Sequence, residues 1–180
     1  MVKKWETVGR REGADYRIFR TDIVRRRHPL LLHESDFVVV HPHRWVNIIP
    51  ITPSNEIIMI HQYRHGIDDV TLEIPGGMVE HAEDPAAAGM RECLEETGFA
   101  SHAEPQLLGV VQPNPAFLSN LCYSYLWRGC ERRGAQVLDR NEDIVVESVP
   151  LSAIRGLIRE GRIAHSLVLN AIMLMWMNEQ

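Results

Sequence analysis

The sequence predicts a mixed α/β fold, and three features predict it: short β-branched runs, one sharply capped helix in mid-chain, and two helical stretches that close the chain. Residues 46–51 (VNIIPI), 56–62 (EIIMIHQ) and 143–149 (DIVVESV) carry the Val/Ile enrichment of half-buried or buried strands. Asp84 suits an N-cap, Pro85 the first helical position and Gly98 a left-handed stop, which brackets a helix over 85–97. The last two helices are expected over about 151–160 and 165–178. No internal repeat or low-complexity linker interrupts this order.

Taken in order, the chain opens with strand-like stretches at 15–24 (DYRIFRTDIV) and 36–40, separated by arginines and an exposed bend at His28-Pro29. The turn Thr52-Pro53-Ser54-Asn55 joins the strands over 46–51 and 56–62, and a short strand follows at 70–74. After the capped helix, 106–112 and 121–127 read as strands. On that helix, about 100° per residue gathers Glu92, Glu95 and Glu96 on one face and Ala87, Met90 and Leu94 on the opposite, core-facing one. The strands before residue 42 lie outside what a catalytic core needs, so two parts are expected: a β extension over 1–41 and a main domain over 42–180.

Composition narrows the function classes. The 180 residues are 45% hydrophobic, enough for a sizeable core. A net charge of −5 with no basic tract disfavours nucleic acid as a partner. Three cysteines (Cys93, Cys122, Cys130) are odd in number and lack metal-ligand spacing, which suits a reduced, cytoplasmic setting. The start MVKKWETVGR has no apolar signal core, and the most apolar stretch, Leu167 to Met177, contains Asn170 and is too short to span a membrane.

The chemistry is concentrated between Gly77 and Phe99. Gly77, five residues, Glu83, seven residues, then Arg91-Glu92-Cys93-Leu94-Glu95-Glu96-Thr97-Gly98-Phe99 sets a glutamate cluster between two glycines. Like charges three or four residues apart destabilise a helix by about 0.2–0.5 kcal/mol per pair. Arg91 alone does not neutralise three acids, whereas a hard divalent cation with oxygen ligands does, and Mg²⁺ characteristically takes one or two carboxylates plus substrate phosphates.

This pattern resembles the signature box of the Nudix hydrolases, with every polar position filled. VNIIPIT at 46–52, HQYRHG at 61–66, LEIPGG at 72–77 and NEDIVVESVPL near the C-terminus extend the resemblance over nearly the whole chain to the ADP-ribose pyrophosphatase-like subgroup. Pro115, 16 residues past the box, belongs to the same pattern. Two positions depart from it: Cys93 stands where an aliphatic residue is usual, and Ala82 replaces a glycine before Glu83.

The resemblance implies an α/β/α sandwich with a mixed sheet, a small N-terminal β-sheet and a homodimer that exchanges those sheets. It also implies metal-dependent hydrolysis of a nucleoside diphosphate sugar, ADP-ribose to AMP and ribose 5-phosphate in the first instance. GDP-mannose or another sugar nucleotide is the alternative, and a nucleotide-sensing module that has lost catalysis a more distant one. The metal, Mg²⁺ or Mn²⁺, is assigned to Glu92, Glu96 and the Gly76 carbonyl, with Glu83 peripheral. Glu95 assists and Arg91 orients the cluster. The general base is expected in the loop 139–143 as Glu142, with Asp143 and Glu147 as alternatives. Arg64 is suited to a bidentate grip on a phosphate oxygen, and Glu73 to pairing with it or lining the site. Trp5 and Trp45 are candidates for stacking on a base, Trp5 foremost. The pairs His41/His43 and His61/His65 lack a third ligand.

Overall fold

The computed structural model describes residues 1–178. Two compact units divide the chain: residues 1–43 with 112–121, and residues 44–111 with 122 onward. The first unit thus takes in a segment that the sequence reading keeps within 42–180.

The first unit is a three-stranded antiparallel sheet of β1 (Glu6–Asp15), β2 (Phe19–Arg27) and β3 (Glu34–Pro42), in that order. The strand expected over 15–24 is broken. Arg17 adopts φ 71°, Asp15 Oδ1 accepts the Arg17 amide at 2.8 Å, and Tyr16 N–H bonds the Phe19 carbonyl, so residues 16–18 form a hairpin turn instead. Asp22, 1% exposed, accepts from or pairs with His41, Arg10 and Arg20. The segment 112–121 is fastened to β3 by backbone bonds between Val40 and both Phe117 and Ser119. His41 Nδ1 also lies 2.7 Å from Ser119 Oγ.

The second unit is built on a seven-stranded mixed sheet. Its path runs β12 (Ile144–Pro150), β5 (Glu56–Arg64), β4 (Arg44–Ile51), β10 (Cys122–Arg128), β9 (Gln106–Val111), with β6 (Asp69–Glu73) on β5 and β7 (Gly76–Val79) on β4. The β4–β10 pair is parallel and the other ladders are antiparallel. A two-stranded ribbon, β8 (Phe99–Ala100) with β11 (Glu131–Arg132), completes the strands.

Alternation along β4 sets the layers. Val46 and Ile48 pack with Ala88 and Cys93 of α1 (Pro85–Thr97) on one face. Ile49 and Ile51 pack with Val168, Ile172 and Met175 of α3 (Ser166–Asn178), and with Ile154 of α2 (Ile154–Arg159), in the other cluster. This is the expected α/β/α sandwich, with the small N-terminal sheet beside it in the chain.

The inner face of α1 differs from the one expected. Leu94 is 41% exposed and Ala87 is exposed, while Ala88, Gly89, Cys93, Glu96 and Thr97 are buried. Gly89 decides the rotation: a Cβ there would sit 3.1 Å from Val46 Cγ2, so the helix approaches β4 along its smallest residue. Cys93 accordingly lies in the core, and burial pushes its thiol well up. All three cysteines are free and buried. Among the described residues no helix is long and apolar enough to cross a membrane.

Candidate active site

The site is built where α1 begins and ends against β7. Asp84 caps the helix by accepting the Ala86 and Ala87 amides, Pro85 opens it, and Gly98 closes it at φ 74° with its N–H on the Leu94 carbonyl. Those three residues fix the helix register, and the register aims Glu92, Glu95 and Glu96 at the Gly76-Gly77 strand. Neither glycine has room for a side chain. A Cβ on Gly76 would meet the Val46 carbonyl and Asn47 Oδ1, and one on Gly77 would meet the Glu92 carboxylate.

Glu96 is 2% exposed, and its Oε2 accepts the Gly76 amide at 3.0 Å. Burial pushes its carboxyl well above the ordinary value; the Gly76 N–H opposes the rise, and the nearby Glu92 and Glu142 charges add to it. Burial raises Glu92 too, against the pull of Arg91. Arg91 is the hub of the remaining acids: it donates to Glu83 through Nε and Nη2 at 3.0 and 3.2 Å, and through Nη1 to Glu92 and Glu95 at 3.0 Å each. Its Nη2 also reaches the Met78 carbonyl. The Glu83 carboxyl is held below its usual range by that guanidinium, and it accepts the Glu80 amide. Ala82 stands just before it at φ 64°, a left-handed conformation that explains why glycine is usual there.

Glu83 stands outside the lining, while Arg91, Glu92, Glu95 and Glu96 line, with Gly76 and Gly77, a cleft of about 440 Å³. It also holds Arg64 and, from the loop before β12, Glu142. Glu142 is fixed by a turn in which its amide bonds the Asp139 carbonyl and its Oε2 accepts the Asp139 amide at 3.0 Å. Of the two alternatives for a base, neither lines the cleft: Asp143 is exposed, and Glu147 is turned to His61, whose Nε2 is 2.6 Å away.

Arg64 and Glu73 pair directly. The guanidinium donates twice to the carboxylate, at 2.8 Å each, and Thr71 adds a third hydrogen bond. Burial alone would lift the fully buried Glu73 carboxyl, but Arg64, His165 and Thr71 together hold it well below the usual carboxylate range. Glu73 therefore orients Arg64 toward the cleft. Trp5 belongs to the first unit, where its ring meets His28, His33 and Phe37 edge-on at 4.7 to 5.6 Å between centroids. His165 and Asn47, which carry no pattern in the sequence, are the residues that sequence reasoning missed beside the cleft; their only signal is the strand and helix geometry that brings them together.

A model of the NUDIX domain matches residues 41–170. The chain belongs to the Nudix family. A methanol dehydrogenase activator of Bacillus methanolicus is 31% identical over 143 residues, 79% of this chain and 76% of that protein. An ADP-ribose pyrophosphatase of Bacillus subtilis (strain 168) is 29% identical over 89 residues, spanning 49% of this chain and 47% of that protein. A solved structure described as an ADP compounds hydrolase superposes with a TM-score of 0.87 at 20% identity, covering 100% of this chain and 97% of that one, which bears on the fold. The expected resemblance to the ADP-ribose pyrophosphatase-like Nudix hydrolases is borne out.

Among the described residues, no three His, Cys, Asp or Glu side chains already converge as a metal cage. The donor set nonetheless fits a hard divalent cation: all the groups are oxygen donors, two of the carboxylates are pushed up by burial, and the backbone at Gly76 and Gly77 is bare.

Proposed function

We propose that this Nudix hydrolase cleaves the pyrophosphate bond of a nucleoside diphosphate sugar, with ADP-ribose as the leading substrate and AMP and ribose 5-phosphate as products. The observation that carries the reading is the buried Glu96 carboxylate, set beside Glu92 against side-chain-free backbone and facing a cleft that also contains a cation, Arg64, and a further carboxylate, Glu142. Glu92, Glu96 and the Gly76 carbonyl would hold Mg²⁺ or Mn²⁺, with Glu83 at the periphery and Glu95 assisting. When bound, the metal supplies positive charge that offsets the phosphate oxygens as charge develops on the bridging oxygen.

The chain's own groups do the rest. Arg91 holds Glu83, Glu92 and Glu95 in place. Arg64, oriented by Glu73, takes a phosphate oxygen. Glu142 accepts a proton from the water whose oxygen bonds to phosphorus as the bridging P–O bond breaks. GDP-mannose or another sugar nucleotide is the competing substrate. Net charge and the missing basic tract favour a small-molecule substrate over nucleic acid, and the free cysteines favour a cytoplasmic setting. The N-terminal strands belong to a homodimer in which they reach a second copy and bring Trp5 to its substrate.

The deciding experiment is a panel of ADP-ribose, GDP-mannose and NADH assayed with Mg²⁺ and with Mn²⁺, with products identified by mass. NADH belongs in it because it contains the ADP-ribose group, and because the Bacillus methanolicus relative is named for a dehydrogenase. ADP-ribose turnover to AMP is expected to lead. No turnover of any member with either metal would refute the reading.

A further inference from the structure

The first unit holds a constellation that pyrophosphate cleavage does not use. Asp22 of β2 is 1% exposed, and its Oδ2 lies 3.0 Å from His41 Nε2 of β3. The other ring nitrogen, His41 Nδ1, lies 2.7 Å from Ser119 Oγ. A carboxylate only accepts, so the ring proton on that side belongs to Nε2, and Nδ1 turns its lone pair toward the Ser119 hydroxyl. The order is buried acid, imidazole, exposed hydroxyl. Such an order activates a serine: the base is within hydrogen-bond reach and is itself oriented by a third group.

The segment 112–121 does not need this chain of groups to stay on β3, since Val40 already binds it through two backbone hydrogen bonds. Nor does an exposed hydroxyl, which water can satisfy, offset the cost of burying a carboxylate. Arg10 and Arg20 approach Asp22 at 3.4 and 3.8 Å and supply part of what it loses with water.

Two further features suit an acyl group. The amide of Asn120, the residue after the serine, donates to no backbone carbonyl among the described residues. In serine hydrolases the amide after the nucleophile is one donor to the developing oxyanion. Asn120 is 6% exposed and its Nδ2 donates to the His43 carbonyl at 2.9 Å, which holds that residue in place. His41 also lines a cavity of about 410 Å³, whose other walls are Asp15, Arg17, Phe19, Arg20, Pro42 and His43. Asp15 Oδ1 is engaged by the Arg17 amide, while the Arg17 guanidinium has no partner among the described residues. A free guanidinium in a concave wall suits a carboxylate, and Phe19 and Pro42 suit the methylenes of a short chain.

We propose that Ser119, His41 and Asp22 form an acyl-transfer site for carboxylic esters whose acyl chain carries a second, free carboxylate. Ser119 Oγ bonds to the ester carbon as its proton passes to His41 Nδ1, and the carbonyl electron pair moves onto oxygen, facing the Asn120 amide. That pair returns, the ester C–O bond breaks, and the leaving alcohol takes the proton from His41. Water repeats the two steps on the acyl-serine, which releases the acid and restores Ser119. The site stands apart from the pyrophosphatase reading, since none of these residues lines the carboxylate cleft.

The test uses the full chain with two esters, mono-4-nitrophenyl succinate and 4-nitrophenyl acetate, and with a fluorophosphonate, which loses fluoride to leave a stable phosphonyl serine. Peptide mapping by mass is expected to find the phosphonyl group on Ser119. Cleavage of the succinate is expected to exceed that of the acetate about tenfold or more in kcat/KM, the size of one hydrogen bond to a charged group. Ser119→Ala falls to background, and Ser119→Cys, which keeps a nucleophile, still takes up the acyl group. His41→Gln slows cleavage about 10²-fold or more, as loss of a positioned base does. Arg17→Gln raises KM for the succinate and leaves that for the acetate as it was.

An unlabelled Ser119, or equal cleavage by wild type and Ser119→Ala, would overturn the site. So would a His41→Gln variant that is folded by circular dichroism and cleaves at the wild-type rate. Should that variant unfold, the two substitutions of the exposed Ser119 decide the matter. A lower melting temperature for Ser119→Ala together with an unlabelled wild type would reduce the contact to a fastening of 112–121 on β3. Equal kcat/KM for the two esters in wild type would overturn the assignment of the Arg17 cavity to an anionic chain.

Discussion

Glu73 shows how a single side chain serves both stability and function. It is fully buried and yet ionised, because Arg64, Thr71 and His165 supply what water would have given it. A carboxyl whose folded value is depressed contributes stability above its unfolded value of about 4.5, and that contribution is lost as pH falls through the lower folded value. Glu73→Gln is therefore expected to lower the melting temperature clearly at pH 7, with the gap to wild type narrowing steadily below about pH 4.5; a gap independent of pH in thermal scans would refute this. Glu96 behaves differently. Its replacement by Gln keeps the shape of a buried side chain but removes a charge, so folding survives while turnover under saturating Mg²⁺ falls about 10²–10³-fold, the typical cost of losing one preorganised electrostatic group. Near-wild-type turnover would remove Glu96 from the metal site. The sequence alone identified Glu96 as part of an acidic face and did not reveal that it is buried, because helical periodicity sorts faces by residue type and the face of α1 that packs was chosen instead by Gly89. Ala82 was legible as a departure from glycine, and its φ of 64° gives that departure a cost. Left-handed backbone penalises a Cβ by about 1–2 kcal/mol, and glycine gives back about 0.4–1 kcal/mol in unfolded-chain entropy. Ala82→Gly should thus stabilise the protein by roughly 0.5–1 kcal/mol in denaturant titration.

Helix α1 was the most legible part of the chain. Asp84 and Pro85 are start signals and Gly98 is a stop signal, and each occupies the position its chemistry calls for. Their energetic weight is testable: Asp84→Ala removes the acceptor for two orphan amides and should cost about 1 kcal/mol. Gly98→Ala should cost more than Asp84→Ala, since its φ is 74° and an added Cβ would run into the Gly134 carbonyl; equal losses in chemical denaturation would argue against that ranking. Strands β1 and β7 were not legible. ETVGRREGAD in β1 is charged, carries two glycines and has no apolar alternation, and the structure leaves nearly all of it exposed or half-exposed, paired through its backbone to β2. GGMV in β7 reads as a loop because glycine is a poor strand former. It becomes a strand because β4 needs a partner without side chains at Gly76 and Gly77, which is the same demand that the site makes. Local propensity yields there to function.

The N-terminal sheet carries apolar side chains that its own three strands do not cover. Leu30, Leu31 and Leu32, on the turn between β2 and β3, are 68%, 71% and 67% exposed, and Phe37 and Val38 on β3 are 42% and 55% exposed. Phe37 and Val38 are consecutive in β3 and face opposite sides of the sheet, so the apolar stretch in question is the row of three leucines at the turn, and exposed apolar surface of this kind marks a contact with another chain. A three-stranded sheet of this size is only marginally stable without a packed face. A second copy is the simplest cover, since closed two-fold pairing is the commonest arrangement of soluble oligomers and exchange of an identical element costs little. Removal of residues 1–41 is a poor test, because the structure ties 112–121 to β3 through Val40 and His41, and the deletion would strip that segment of its partners. Substitution in the full chain is cleaner. Wild type is expected to give a dimer mass in light scattering, twice the 20.6 kDa of one chain. Replacing Leu30, Leu31 and Leu32 together with Ser should shift it toward monomer at micromolar concentration, because exposed leucines take no part in either core cluster and their loss spares the fold. If Trp5 reaches the partner's substrate, the same variant raises KM while kcat for bound substrate changes little, since the carboxylate cluster is untouched. A monomeric wild type, or a triple variant that keeps both its mass and its KM, would show that the leucine turn faces something other than a second copy.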